Sequence, residues 1–438
     1  MAPAQLKILL VSGVYPPAIG GPSLQTQQIA QRLMARGVTV QVVTYGDPDQ
    51  SGVVDGVPLT FVDGRPQSGW LGKLGRNWRI WQALNRMIEG MQPSVIHMQT
   101  AAGNLALMTG LAARRHGIPA LLKYTADLVA QKATLADFAP PPDGLARRRH
   151  WMGQRAKDDF QRSLFALYTH IWATTPAFQT RLQQHYQVPA SKCWLMPNFI
   201  DLQPFTAIAE QRAATATAPK STLELLTVAR LFPVKGLDVY LQALAQLSHL
   251  PLRVRLVGSG SIEYQHSLQT LATDLGLADR VEFTGAIAPA HIAAAYATAD
   301  LFVLPSRHEP FGIVLIEAMA VGLPIVATAV DGIPYVVEAG KSAWLVPPGD
   351  ATALAIAVQT LVTSPAPRQA LAAAGRIRAQ AFALEPGVQN LLALYQHLSA
   401  PSATVPRLTE VGANGAGIAF APQLRGKAAA PSPPDWGN

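Results

Sequence analysis

The stretch LFVLPSRHEPFGIVLIEAMAVGLPIVATAVDGIPYVVEAG, Leu301 to Gly340, limits what this chain can fold into more than any other. It starts as an apolar run, Leu301 to Leu304, that stops at Pro305. A polar loop with His308 and Glu309 follows, then from about Phe311 a helical run carrying Glu317. After the Gly322-Leu323-Pro324 turn a second apolar run, Ile325 to Val330, begins. Strand, loop, helix, strand is the crossover unit of a parallel sheet. Its helix starts where open α/β sheets bind ligands, at the carboxyl end of a strand.

A helix start at that place offers unpaired N–H groups and a positive dipole end, which suit a phosphate. Gly312 leaves the backbone bare there. Carboxylates accept strong hydrogen bonds from hydroxyls and repel a bare phosphate, so Glu309 and Glu317 together suggest a sugar on each side of a diphosphate. Taken singly, each also reads as an ordinary helix-start or seam carboxylate.

A chain of 438 residues, 49% of them apolar, has the length for two α/β cores plus tails. The single cysteine, Cys193, excludes an internal disulfide and a cysteine-rich metal site, and fits a reducing compartment. MAPAQLKILLVSG lacks a signal peptide's long apolar region and reads as a first strand. The apolar window Pro310 to Val330 matches a bilayer span in length, but Glu317, Gly322 and Pro324 make it soluble core. A formal net charge of +8 implies an acidic partner, with nucleotide phosphates, anionic lipid headgroups and nucleic acid as candidates.

Short apolar strands recur between helical stretches at Lys7 to Ser12, Val38 to Thr44, Val95 to Met98, Ala120 to Tyr124, Ile171 to Thr174 and Trp194 to Met196. This alternation predicts a doubly wound sheet. Gly20 and Gly21, between the first strand and its helix, let a ligand approach the backbone, but they lack the three spaced glycines of the dinucleotide fingerprint. Trp70, Trp78 and Trp81 interleave with Lys73, Arg76, Arg79 and Arg86, a pattern that fits either core packing or a helix seated at a membrane interface. Arg147 to Arg149 and the helix after them read as a solvated face or as a membrane- or acceptor-facing patch.

The pattern restarts in the second half. Leu225 to Ala229 is a strand that feeds Arg230-Leu231-Phe232-Pro233-Val234-Lys235-Gly236, and Val254 to Val257 feeds Gly258-Ser259-Gly260. Two cations near a helix start are what a diphosphate needs. Val281 to Gly285 is another strand, with Ala286-Ile287 placed to read a base edge through the backbone. The expected domains are 1–201, an amino-terminal acceptor domain; 202–222, an Ala/Thr-rich linker; 223–382, a donor domain; 383–399, a closing helix; and 400–438, a disordered tail.

Gly20-Gly21, Arg230, Lys235-Gly236, Gly258-Ser259-Gly260 and EPFGIVLIEAMAVGLPIVAT, in this order, resemble the retaining glycosyltransferases of family 4 over residues 6–399. The resemblance implies a GT-B fold: two Rossmann-like, doubly wound α/β domains facing a cleft, with the last helix crossing back to the first domain. It implies transfer of a hexose from a nucleoside-diphosphate sugar to a polysaccharide or lipid-linked glycan, by front-face attack with retention. No metal or other cofactor is implied, Arg230 and Lys235 taking the diphosphate. Glu309 would bind donor-sugar hydroxyls and Glu317 the ribose. The backbone at Phe311, Gly312 and Ile313 would hold sugar and distal phosphate, and Gly20 and Gly21 would close on them. Gly258 and Ile287 complete the donor set. Many members carry a histidine where this chain has Ala126, which leaves Asp127 as the candidate polar group of that strand end and its role open. His97 and His308 are the nearby histidines, and a strand histidine is more often packed than catalytic. Expected partners are the donor, a glycan or lipid-linked acceptor and an anionic membrane surface, with no nucleic acid. The expected place is the cytoplasm, with peripheral attachment to the membrane's inner face. A nucleotide-sugar epimerase or hydrolase, and a noncatalytic nucleotide-sugar binder, share the same sequence features.

Overall fold

A computed structural model describes residues 5–17, 21–65, 69–101, 103–125, 144–215 and 220–400. These residues form two compact units, 5–199 together with 384–400, and 200–383. Gly20, Ala126, Asp127 and the expected tail beyond Ala400 lie outside the described residues, as do the side chains of Arg147 to Arg149.

In chain order the first unit holds β1 (Lys7–Val11), α1 (Gly21–Met34), β2 (Thr39–Tyr45), β3 (Gly52–Val54), β4 (Val57–Val62), α2 (Gly69–Met91), β5 (Val95–Met98), α3 (Gly103–His116), β6 (Ala120–Tyr124), α4 (Gly144–Leu167), β7 (His170–Ala173), α5 (Pro176–Gln184) and β8 (Cys193–Leu195). The second unit continues with α6 (Gln203–Thr215), β9 (Leu223–Val228), α7 (Leu237–Ala245), β10 (Leu252–Val257), α8 (Ile262–Asp274), β11 (Val281–Gly285), α9 (Ile292–Tyr296), β12 (Leu301–Leu304), α10 (Ile313–Val321), β13 (Ile325–Thr328), α11 (Ile333–Val336), β14 (Trp344–Val346), α12 (Ala351–Thr363) and α13 (Pro365–Ala379). Helix α14 (Leu384–Ser399) belongs to the first unit again.

The first sheet has the order β3-β4-β2-β1-β5-β6-β7-β8, parallel except for the β3–β4 pair. The second, β11-β10-β9-β12-β13-β14, is parallel throughout. Strands β12 and β13 are buried along their whole length, as near-continuous apolar runs in a sheet covered on both faces must be. Helix α14 lays Val388, Leu391, Leu394 and Tyr395 into the apolar core beside Ile8, Leu10, Trp172 and Trp194. Its Glu385 pairs with Arg32 of α1 and with Arg36 of the turn after it, anchoring its first turn.

The stretch 202–222, expected to be a linker, instead contains α6. Its Ala/Thr-rich sequence has little periodicity, and the helix is fixed by burial of Leu202, Phe205 and Ala209 and by the Arg212 guanidinium, which donates to Ala297 O at 2.5 Å. The boundary between units falls at residue 199, not 201. Among the described residues no helix is long and apolar enough to cross a membrane.

Candidate functional site

The loops that leave β9 and β12 at their carboxyl ends carry the sequence-predicted cations and carboxylate of the second unit. Adjacent pairing of these strands, Leu301 opposite Leu225 and Phe302 opposite Leu226, brings the two loops side by side. The Arg307 and His308 N–H groups both donate to Val234 O, at 2.8 and 3.1 Å. The Arg307 guanidinium forks onto Asp238 of α7 at 2.7 and 2.6 Å and also reaches Pro233 O. Bidentate geometry of this kind fixes both partners in orientation as well as distance.

Held this way, Lys235 Nζ donates to Glu309 Oε2 at 2.7 Å, with both side chains largely withdrawn from solvent. The backbone of Glu309 is secured from the β13–α11 turn. Asp331 Oδ2 accepts from its N–H at 2.9 Å, and the Gly332 N–H donates to its carbonyl at 3.1 Å. His308, itself buried, places Nδ1 2.7 Å from the same Asp331 oxygen.

Three residues after Glu309 the chain enters α10 through Gly312, at φ +89°. Only glycine sits there without strain. No side chain among the described residues caps this helix, so the first N–H groups after Gly312 retain their partial positive charge at the amino terminus. Phe311 is buried against Tyr335 and Phe382, while Ile313 is partly exposed.

Glu317 lies inside α10 on a partly exposed position. Burial pushes its carboxyl up to about 7, even though the buried Tyr296 hydroxyl donates to Oε2 at 2.5 Å and favours the ionised form. Ile287 packs on the same core as α10. Gly258 follows β10, with its N–H on Gly285 O at 2.8 Å. Arg230 is exposed, its guanidinium 5.2 Å from the Phe232 ring centre, and is not drawn into the Lys235–Glu309 pair.

In the first unit Gly21 opens α1. His97 is a packed residue: Nδ1 sits 2.5 Å from the Tyr395 hydroxyl and burial pushes the imidazole well below its usual range. Lys123, at the end of β6, is fully buried, with Nζ 4.2 Å over the Trp172 ring and hydrogen bonded to Gln25. Burial lowers its affinity for a proton well below that of an ordinary lysine. Sequence reasoning missed the supporting residues Arg307, Asp238, Asp331 and Tyr296. They carry no local pattern, and their partners are 21 to 74 positions away.

The arrangement sets a cation and a carboxylate beside a helix amino terminus at the strand ends of a parallel sheet, with Glu317 farther along the same helix. Residues 209–378 match the model for glycosyl transferases group 1, and residues 20–198 match that for the glycosyl transferase 4-like domain. The D-inositol 3-phosphate glycosyltransferase of Geodermatophilus obscurus is 30% identical over 398 residues, which cover 86% of this chain and 84% of that protein. The putative colanic acid biosynthesis glycosyltransferase WcaL of Escherichia coli K12 is 44% identical over 147 residues, 32% of this chain and 36% of that protein. The structure of sucrose-phosphate synthase from Thermosynechococcus elongatus is similar with a TM-score of 0.73 and 24% identity, covering 91% of this chain and all of that one. Anabaena HepE, solved in complex with UDP and glucose, is similar at a TM-score of 0.70 and 22% identity over 90% of this chain and 100% of that one. Two parallel α/β units with such neighbours constitute the GT-B fold. This chain therefore belongs to the group 1 glycosyl transferases of family 4 and is a glycosyltransferase enzyme.

Proposed function

We propose that the enzyme transfers a hexose with retention from a nucleoside-diphosphate sugar to a polysaccharide or lipid-linked glycan, without a metal ion. The observation that carries this reading is the Lys235–Glu309 pair beside the uncapped start of α10. A leaving nucleoside diphosphate gains negative charge as the glycosidic bond breaks. A fixed ammonium and a helix dipole aimed at that charge stabilise the transition state, while Glu309 and Glu317 accept hydrogen bonds from sugar and ribose hydroxyls. Arg230, exposed on the Lys235 loop, adds a second cation toward the diphosphate. UDP-binding by Anabaena HepE supports a nucleotide-sugar donor. A thermal-shift screen with UDP, GDP and ADP sugars tests the reading: one donor class raises the melting temperature, because a ligand of the folded state alone stabilises it. No shift with any of them contradicts it. Product NMR then shows the donor's anomeric configuration kept, and transfer persists in EDTA.

Glu317 gives the donor site a pH dependence. Its raised carboxyl holds a proton in the folded chain up to about pH 7. This group's favourable contribution to folding is therefore full below the ordinary carboxylate range and is lost as pH rises through about 7. Ribose hydroxyls favour the carboxylate, so nucleotide affinity runs the other way. Between pH 8 and pH 6 it falls about tenfold in the wild type, and this step is absent in Glu317→Gln, measured by calorimetric titration at both pH values.

The first unit is proposed to rest on an anionic membrane surface through α2, where Leu74 and Trp78 are 56% and 57% exposed, four residues apart on one face. Trp78 stacks on Trp81 at 5.2 Å, and the Arg115 guanidinium lies over that ring. The protein is expected to float with anionic liposomes at low salt, and Leu74→Ser/Trp78→Ser to stay behind. Wild-type protein absent from the lipid fraction removes the proposal.

A further inference from the structure

Asp331 is one of the few non-glycine residues here with positive φ, +43°. A side chain in the left-handed region costs on the order of 1 kcal/mol, and such strain persists only where the surroundings over-determine it. At Asp331 the surroundings converge on one carboxylate oxygen: the Glu309 N–H donates to it at 2.9 Å, and His308 Nδ1 lies 2.7 Å from it. The next residue, Gly332, donates to the Glu309 carbonyl at 3.1 Å. Consecutive residues of one turn thus grip both ends of the Glu309 backbone. His308 is 5% exposed, and its Nε2 has no partner among the described residues, which makes Asp331 the polar anchor of that ring. The Arg307–Asp238 fork and the Arg307 and His308 N–H bonds to Val234 O tie residues 307 and 308 to the Lys235 loop.

We propose that Asp331 is a positioning residue for glycosyl transfer: its carboxylate, braced by buried His308, sets the backbone of Glu309 so that the Glu309 carboxylate meets Lys235 and the donor sugar in one geometry. The proposal rests on the reading of Glu309 as the carboxylate that contacts the donor sugar. Asp331 touches neither the sugar nor the reacting atoms. Its effect passes through a backbone amide, and a misplacement of about 1 Å at a catalytic group lowers rates on the order of a hundredfold.

Asp331→Gly separates this role from a conformational one, because glycine accepts the same φ without strain and lacks only the carboxylate. Three quantities are compared in wild-type protein, Asp331→Gly and Asp331→Asn: kcat with the donor found by the thermal-shift screen, affinity for the matching nucleoside diphosphate, and hydrogen exchange of the Glu309 amide. Asp331→Gly is expected to lose at least about tenfold in kcat and to exchange the Glu309 amide faster, with diphosphate affinity within about threefold of wild type. Asp331→Asn, which keeps one acceptor oxygen, is expected between the two, and carries the test alone if the glycine variant does not fold. Wild-type kcat in whichever variant folds overturns the role of Asp331 and leaves the donor reading intact. Equal loss of diphosphate affinity and kcat also overturns it, since that marks a general collapse of the site. Absence of any nucleotide-sugar binding by the wild type overturns both, and is recognised before a variant is made.

Discussion

Lys235→Ala is expected to lower glycosyl transfer about a thousandfold while the chain still folds, the magnitude seen when one fixed charge-stabilising donor is removed from a transition state. The same substitution leaves the Glu309 carboxylate, 12% exposed, without its cation. Removing one partner of a nearly buried pair costs about 3 kcal/mol, because the remaining charge stays desolvated and unpaired. The two effects separate in a double substitution. Adding Glu309→Gln to Lys235→Ala is expected to recover most of the lost melting temperature, since neither buried charge remains, and to recover none of the transfer. Lys235→Ala with near-normal turnover removes the ammonium from the mechanism. Recovery of turnover in the double variant assigns the pair to stability alone.

Gly236→Ala is expected to lower the melting temperature by about 10 °C and to abolish measurable nucleotide binding, corresponding to roughly 3 kcal/mol in a unit of this size. Gly236 has φ +63° and links the turn bearing Lys235 to α7. A Cβ at this position lies 2.1 Å from Pro305 O, and the Pro305 backbone begins the loop that presents Glu309. The clash is with main chain, so no side-chain rotation relieves it. The two loops must separate, and the separation passes directly to the Lys235–Glu309 contact. Differential scanning fluorimetry with and without the nucleotide tests both parts. A melting temperature within about 2 °C of wild type, the size of an ordinary surface effect, shows that the loops tolerate the separation.

The strand, loop, helix, strand order at the centre of the second unit was legible because each element announces itself locally. An apolar run broken by Pro305 and a bare Gly312 ahead of a helical run place Glu309 on the loop after a strand, Gly312 at a helix start and Glu317 inside that helix without tertiary information. Lys235 and Glu309 could be assigned to a common site because both follow strands of one parallel sheet, and sheet pairing does put their loops together. What the sequence did not disclose is how that site is held. Asp331, Asp238 and Tyr296 act through contacts made 21 to 69 residues away, and their residue types are ordinary for turns and helices. Arg230, expected with Lys235 at the diphosphate, lies over the Phe232 ring, because a long side chain on an exposed loop takes its orientation from its nearest ring.

The missed elements share a cause. Helix α6 was read as a connection because Ala and Thr give it little amphipathic signal; its helix is secured by Leu202 and Phe205 entering the core of the second unit. Strands β3, β4 and β14, three to six residues long, were also not read from the sequence. Lys123 reads in sequence as the polar end of a strand. It is a buried amine, held by Gln25 from α1 and the face of Trp172 from β7, partners 98 and 49 positions away that spacing alone does not connect.

Calorimetric titration of the purified protein with the nucleotide sugar found by the thermal-shift screen, side by side in wild type and Lys235→Ala, measures the donor site directly. Binding by the wild type, weakened about a hundredfold in the variant, is the expected result, a loss of some 2.7 kcal/mol for one charge-assisted contact to the diphosphate. Equal affinity in the two proteins would place the diphosphate elsewhere and contradict the assignment of Lys235 and the α10 start to the donor.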